Sequence, residues 1–306
     1  MDQTLRTQRL ARGLTAFPAP VTHLCFRHHR EQQPFRRVNH LKTVRRLKRG
    51  FTLTELLVVI GVMGILAALL IPSVLYSKFK ARVVTCASNY KQLTLASALY
   101  ATDDSKGRLP SFELPTESTQ LVNFHNLYPW IIGLPMLKAM ESHGIAQPRM
   151  WFCPLRKRWQ DYSSTYQWKY GRTMATIDDF IKYFTDTQKA KYAGVDLNWW
   201  VPRKLEGSTL TYPDASLLRT RVTTSWPSRI DDANISLRPL VSDWLMGRKS
   251  ASGDGFASAS GGHSFGGKAR NCNSGFGDGH VETTSAAHIK WQLQLSDSAE
   301  SHYIFY

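Results

Sequence analysis

One uninterrupted apolar segment, residues 51–71, constrains this chain more than any other feature of its sequence. Its 21 residues contain a single charge, that of Glu55. At roughly 1.5 Å per residue, a helix of this length spans roughly 30 Å, the thickness of a bilayer's hydrocarbon core. The segment therefore predicts one membrane-spanning helix. The mean hydropathy of the whole chain, −0.30, argues against a protein with many spans.

Positive charge is concentrated on the amino-terminal side of that segment. Residues 1–50 contain 12 Lys or Arg and two acidic residues, a net charge of +10, whereas residues 51–306 contain 27 and 21, a net charge of +6. Because basic flanks of a membrane helix stay cytoplasmic, the sequence predicts a cytoplasmic amino terminus. The chain after about residue 76 is then outside the inner membrane. The basic excess is interpreted as a topology signal, and no nucleic-acid partner is expected.

The helix is predicted to continue beyond the membrane, from about Thr52 to about Ala101. Pro72 is expected to bend it without ending it. Farther along, residues recur at alternating steps of four and three, which is typical of one buried helical stripe. Turn residues at 103–107 end the helix. The stripe consists of Phe79, Val83, Cys86, Tyr90, Leu93, Ser97 and Tyr100.

The rest of the chain is predicted to form a mixed head, so that the fold class is α+β. All nine tryptophans lie beyond residue 108, where short apolar runs alternate with Pro, Gly, Asn and Asp. Helical character is found at 177–193, and strand pieces are predicted at 220–224, 239–242 and 281–284. The second half of the long helix is expected to pack against a small antiparallel sheet. The predicted domains are a basic leader (1–50), a transmembrane segment (51–75), an amphipathic continuation of the helix (76–102) and an extracytoplasmic head (103–306).

The leader itself shows no sustained period over its first 41 residues, which mix Gln, Arg, His and Pro. No methionine lies between Met1 and Met63. We therefore expect translation to start downstream of Met1 at a non-Met codon, for example near Leu41 or Val44.

The junction between leader and apolar segment is Arg49-Gly50-Phe51-Thr52-Leu53-Thr54-Glu55. It resembles the prepilin cleavage and methylation motif of type IV pilins and type II secretion pseudopilins. The resemblance implies cleavage between Gly50 and Phe51 by a prepilin peptidase and N-methylation of Phe51. It also implies a single-pass protein of the bacterial inner membrane with a periplasmic head. Such a protein assembles with other pilin or pseudopilin subunits into a pilus or a secretion pseudopilus.

Glu55 has a physical reason to take part in assembly. A charged side chain in the middle of a bilayer costs about 2.5–3.5 kcal/mol, so its carboxylate needs a partner. The new α-amine of Phe51, in the same or a neighbouring subunit, supplies one after cleavage. Pairing between subunits would set the axial register of a filament. The alternatives are a plain signal anchor and a secretory signal peptide, and the length of the apolar run argues against the second.

The head shows weaker similarity to pilin-like proteins with a carboxyl-terminal His-X9-Asp-Gly signature. Asp278-Gly279 is present here, but Lys268 occupies the position of the histidine, and the nearest upstream histidine is His263. His263, Asp278 and His280 could form a metal site. The sequence favours a hairpin turn at Asp278-Gly279 instead.

Calcium is the one cofactor that the resemblance suggests. Some pseudopilins bind it through loop carboxylates near this end of the chain, and oxygen-rich loops suit the ion. The candidate ligands are Asp243, Asp254 and Asp278, in or beside a glycine-rich stretch without EF-hand spacing.

Cleavage after Gly50 would leave three of the four cysteines in the mature chain. Cys86 lies on the buried stripe of the helix and Cys153 in an aromatic stretch of the head. A disulfide between Cys86 and Cys153 would staple the helix to the head. Two buried thiols are an equal alternative, and Cys272 is another possible partner.

Catalytic motifs are absent from the sequence, which has no nucleophile elbow, no HExxH pair and no phosphate loop. The chain is therefore predicted to be a structural subunit and not an enzyme. The alternative is a membrane-anchored extracytoplasmic enzyme, or a ligand- or DNA-binding module, that uses a pilin-type leader.

Overall fold

The computed structural model of the chain describes residues 50–113, 128–204, 207, 211–212, 225–294 and 303–306. The expected translation start and the predicted strand at 220–224 lie outside these residues, as does nearly all of the leader. The described helices are α1 (Leu53–Asp103), α2 (Leu134–Ser142), α3 (Arg158–Tyr170) and α4 (Ile177–Lys182), with a 3-10 turn at Pro148–Trp151 and a π-helical segment at Tyr183–Gln188. The described strands are β1 (Ile131–Gly133), β2 (Tyr192–Gly194), β3 (Leu197–Trp199), β4 (Arg203–Lys204), β5 (Thr211–Tyr212), β6 (Pro239–Asp243), β7 (Leu245–Lys249), β8 (Phe256–Gly261), β9 (His263–Phe265), β10 (Lys268–Phe276), β11 (Val281–Ser285), β12 (Trp291–Gln294) and β13 (Tyr303–Phe305).

Helix α1 confirms the prediction of one long helix, which continues through Pro72. Its apolar half contains an 18-residue window with a mean hydropathy of 2.7 and no buried residue, so its length and composition suffice to cross a membrane. The other half buries the predicted stripe, apart from Tyr100, which is half-buried. The buried residues of α1 are Phe79, Val83, Cys86, Tyr90, Leu93, Thr94, Ala96, Ser97 and Ala101.

The turn after α1 is fixed by one carboxylate. Asp104 accepts hydrogen bonds from the backbone N–H groups of Lys106 and Arg108, each at 3.0 Å, and pairs with the Arg108 guanidinium at 2.6 Å. The Arg108 guanidinium holds the pKa of Asp104 well below its usual range. Gly107 adopts φ +65°, which favours glycine. The predicted helix end at 103–107 is thereby confirmed.

Antiparallel sheets form the framework of the head and confirm the α+β class. The first sheet has the order β11-β10-β6-β3, with β9 also paired to β10, and the second has the order β12-β13-β7-β8. Strands β6 and β11 confirm the predictions at 239–242 and 281–284. The chain passes from the first sheet to the second at Trp244, the single residue between β6 and β7.

Helix α1 packs on the first sheet where β10 carries a glycine. A Cβ atom on Gly275 would lie 2.9 Å from Cγ2 of Thr94 on α1 and 3.0 Å from Cγ1 of Val241 on β6. Both distances are shorter than a relaxed carbon–carbon contact. The absent side chain therefore lets the helix approach the sheet. Tyr90 and Leu93 of α1 join the main hydrophobic core there.

We predict that Gly275→Ala destabilises the head by about 1–3 kcal/mol, because the added methyl group must displace α1 or β6. Denaturant unfolding of the full chain in mild detergent, followed by tryptophan fluorescence, measures this change. The control is Gly253→Ala, since a Cβ at Gly253 meets no atom of the described residues within 4 Å. Equal stability of the two variants would contradict the close packing of α1 on β10.

Candidate functional site

The predicted processing junction lies at the very start of α1. Gly50 and Phe51 precede the helix, and the Phe51 side chain is 85% exposed. Thr52 and Glu55 form a capping box: the Thr52 N–H donates to Oε2 of Glu55 at 2.8 Å, and the Glu55 N–H donates to Oγ1 of Thr52 at 3.2 Å. The junction is therefore accessible, and Glu55 is held at the first turn of the helix.

The apolar half of α1 forms a continuous exposed surface. Every residue from 50 to 78 is exposed, including large side chains such as Leu56, Ile65 and Leu69. Soluble monomers rarely expose apolar patches larger than a few hundred Å². This surface therefore requires lipid or other helices around it.

Farther along α1, the structure brings four potential ligand residues together. Cys86 on α1, Cys153 after the 3-10 turn, Asp243 at the end of β6 and His263 on β9 are all buried. One potential ligand atom from each lies within 4.8 Å of all the others. We call these residues the Cys-Asp-His cluster. Both members of the predicted disulfide belong to it, and both are free thiols in this structure. Their pairing stays a prediction.

Asp243 lies at the centre of the hydrogen bonding in the cluster. Its Oδ1 accepts from the Tyr90 hydroxyl at 2.7 Å and from the Cys86 thiol at 3.3 Å. Its Oδ2 accepts from the Asn273 N–H at 2.6 Å and lies 3.1 Å from Nε2 of His263. The carboxylate thus connects α1, β9 and β10 from its position on β6.

The ring of His263 is oriented by a hydrogen bond at Nδ1, the nitrogen that does not face Asp243. Nδ1 lies 2.7 Å from Oδ1 of Asn271, so an Nδ1–H donates to that amide oxygen and Nε2 points into the cluster. Nε2 lies within ion-pair distance of Asp243 but outside hydrogen-bond geometry, and it has no hydrogen-bond partner among the described residues.

The cluster shifts the pKa values of its own members. Burial disfavours the imidazolium of His263, but the Asp243 carboxylate outweighs this effect and raises the pKa of His263 to about 10. Burial likewise opposes ionisation of Asp243, yet His263 holds the pKa of Asp243 below its usual value. The neighbouring Cys86 lowers the pKa of Cys153 to about 7, and burial raises the pKa of Cys86. Strong electrostatic coupling of this kind is typical of functional sites.

The other two calcium candidates lie at different places with different partners. Asp254, in the loop between β7 and β8, accepts from the Trp291 indole at 3.1 Å. Asp278 contacts His280 at 2.6 Å in the turn between β10 and β11. Among the described residues, the ligand group that comes together includes Asp243 but neither of these aspartates. The calcium prediction stays untested.

The predicted hairpin at Asp278-Gly279 is confirmed. Strands β10 and β11 pair on either side of it, and Gly279 adopts φ +86°. His263 lies on β9 in the Cys-Asp-His cluster instead, beside Asp243.

The comparison with family models agrees with the geometry of the junction. The prokaryotic N-terminal methylation motif matches residues 45–71, the segment that holds Gly50, Phe51 and Glu55. Together with the long apolar helix and the antiparallel sheets, this match supports the pilin-like resemblance seen in the sequence.

Two curated relatives extend the match. The type II secretion system core protein G of Klebsiella michiganensis is 42% identical over 62 residues, which are 20% of this chain and 44% of that protein. The protein of the same name from Pseudomonas aeruginosa is 38% identical over 60 residues, 20% of this chain and 42% of that protein. The chain thus spans less than half the length of the curated relatives it matches. No solved structure matches it significantly.

We predict that Tyr90→Phe destabilises the head by about 1.5–3 kcal/mol, because it removes a hydrogen bond to a buried carboxylate. The control on the same helix is Tyr100→Phe, since no hydrogen bond of the Tyr100 hydroxyl is found among the described residues. Denaturant unfolding of both variants in detergent measures the difference. Equal stabilities would contradict the position of Asp243 at the helix–sheet contact.

Proposed function

We propose that this chain is a pilin-like structural subunit, processed by a prepilin peptidase and assembled into a type IV pilus or a type II secretion pseudopilus. The observation that carries the proposal is the Gly50–Phe51 junction at the start of a helix whose first half buries no side chain. The names of the curated relatives support a role in secretion. The proposed role is structural, not catalytic.

The proposal assigns two successive environments to the apolar half of α1. Before assembly the helix crosses the inner membrane once, with the leader in the cytoplasm and the head in the periplasm. After assembly the same surface packs against the helices of neighbouring subunits. Gly61, Gly64, Ala67 and Ala68 favour both states, because small residues allow close helix contact.

Glu55 connects processing with assembly. In the uncut chain its carboxylate is held by Thr52 at the helix start. Cleavage creates a charged amine on Phe51, in the same subunit or a neighbouring one, and a charged partner binds a carboxylate more strongly than a neutral one. Before the cut, the Glu55 carboxylate bonds only to Thr52 among the described residues. After the cut, it can form an ion pair with the Phe51 amine of a neighbouring subunit.

The first test is co-expression of the full chain with a prepilin peptidase, followed by amino-terminal sequencing of the product. We expect a chain that begins with N-methylated Phe51. Gly50→Val should remain uncut, because its side chain blocks the approach of the protease to the backbone. The control Gly61→Ala should be cut normally. An intact leader, or a cut far from Gly50, would refute the proposal.

The second test separates processing from assembly. Glu55→Ala should be cut nearly as well as the wild type, but its incorporation into sheared filaments or into complexes with partner subunits should fall at least about tenfold, since an ion pair in an apolar setting is lost. Glu282→Ala, which removes an exposed carboxylate of the head, should assemble normally. Normal assembly of Glu55→Ala would exclude the role given to Glu55.

A further inference from the structure

The Cys-Asp-His cluster brings together four potential metal ligands, and the hydrogen bonds within it do not account for this combination of side chains. Two sulfur atoms, one imidazole nitrogen and one carboxylate converge in a buried space, and each belongs to a different segment of the chain. Thiolate, imidazole and carboxylate are the side chains that zinc prefers, usually four of them around one ion. We propose that Cys86, Cys153, Asp243 and His263 bind one zinc ion that clamps α1 to the head.

The spacing of the ligand atoms fits a tetrahedral ion. Bonds of about 2.0–2.3 Å around zinc place neighbouring ligand atoms roughly 3.3–3.8 Å apart. In the cluster, Sγ of Cys86 lies 3.3 Å from Oδ1 of Asp243, and Nε2 of His263 lies 3.1 Å from Oδ2 of the same carboxylate. All four ligand atoms lie within 4.8 Å of one another. Shifts of about 1 Å therefore suffice to close the coordination sphere.

The residues around the cluster orient its ligands as a metal site requires. Asn271 accepts from Nδ1 of His263, which leaves Nε2 facing the other ligands. A second hydrogen bond of this kind accompanies almost every histidine that binds a metal. Tyr90 and Asn273 donate to the Asp243 carboxylate and fix its rotamer in the same way. Zinc would displace the proton that Nε2 of His263 holds beside Asp243, since metal binding releases protons from its ligands.

A second, independent observation is the geometry around Nε2 of His263. Nε2 of His263 is completely buried and lies 3.1 Å from Oδ2 of Asp243, but it makes no hydrogen bond within the part of the chain that the structure describes. If His263 were neutral, the lone pair of Nε2 would face the lone pairs of Oδ2 of Asp243. If it were an imidazolium, its Nε2–H would point away from the line to Oδ2. A cation between Nε2, Oδ2 and the sulfur atoms satisfies all of these groups together. Buried polar groups are otherwise almost always paired.

The ion would also protect the two thiols. A periplasmic head is in an oxidising compartment, where neighbouring cysteines tend to form a disulfide. Coordination to zinc keeps both sulfurs as thiolates without oxidation. The zinc clamp and the predicted Cys86–Cys153 disulfide are therefore mutually exclusive states of the same pair.

A cleft borders the cluster at one of its four residues. Cys153 lines a cleft of about 660 Å³ between α1 and the segment that carries the 3-10 turn, and Asn89, Met150 and Arg156 line it as well. Metal ions need an entry path to reach a preformed site. The ion would then connect α1, the 3-10 segment, β6 and β9. Loss of the ion would therefore loosen the docking of α1.

The experiment measures zinc in the full chain, purified in mild detergent without a polyhistidine tag, by elemental mass spectrometry. We expect about one zinc per chain for the wild type and a loss of at least about fivefold for Cys153→Ser and for His263→Ala, because each variant removes one of four ligands. Cys272→Ser is the matched control, since Cys272 is equally buried but outside the cluster. It should retain its zinc.

A second measurement does not depend on variants that could misfold. Zinc is removed from the wild type by a chelator and replaced with cobalt, whose tetrahedral thiolate complexes have intense visible and near-ultraviolet bands. We expect these bands at one equivalent of cobalt, together with protection of two thiols from alkylation. Their absence would overturn the proposal. So would a wild-type chain isolated with a Cys86–Cys153 disulfide, or equal zinc loss in Cys272→Ser.

Discussion

Helix α1 has to satisfy two different environments along one continuous backbone, and the rest of the structure depends on how it does so. Its first half presents apolar side chains all round and buries none of them. Its second half buries one stripe of side chains, which contacts the first sheet. A helix with apolar side chains all round needs an apolar environment, whereas an amphipathic one needs a folded partner. The transition between them occurs near Phe79, which is the first buried residue.

The contact between the second half of α1 and the first sheet has buried hydrogen bonds at its centre. Asp243 on β6 accepts from Tyr90, and Asn273 on β10 donates to the backbone carbonyl of Val83 at 3.1 Å. Gly275 removes the side chain that would hold the helix away. Buried hydrogen bonds of this kind contribute modestly to stability, but they are costly to leave unpaired, so they fix one register of the helix on the sheet.

The local periodicity of apolar residues made α1 predictable. Most strands of the head were not predicted, because their segments lack such a periodicity. The buried stripe follows from steps of three and four, and strands β6 and β11 follow from short apolar runs beside turn residues. The strands within 247–279 lie in a stretch rich in Gly and Ser, where pairing with distant strands decides the structure and intrinsic propensity does not. The capping box of Thr52 and Glu55 was present in the sequence as a Thr-X-X-Glu pattern and was missed.

The Cys-Asp-His cluster shows a different limit. The sequence offered Cys86 and Cys153 as either a disulfide or two buried thiols, and Asp243 as a candidate calcium ligand. It offered His263 as a candidate metal ligand with Asp278 and His280, where a hairpin turn was favoured instead. No two of the four cluster residues are close enough in sequence to form a ligand motif, because β6, β9, α1 and the 3-10 segment meet only in the folded head. Each residue was therefore singled out for a different chemistry, and only the tertiary structure brings them together.

The proposed function requires that the first half of α1 is covered by other subunits and not by its own head. Photo-crosslinking from the Leu66 position in cells with an active prepilin peptidase tests this claim most directly, with the buried Leu93 position as the comparison. We predict crosslinks from position 66 to pilin-like partner subunits that disappear without the peptidase, and only internal crosslinks from position 93. Crosslinks from position 66 to the chain's own head, or none to another subunit, would contradict it.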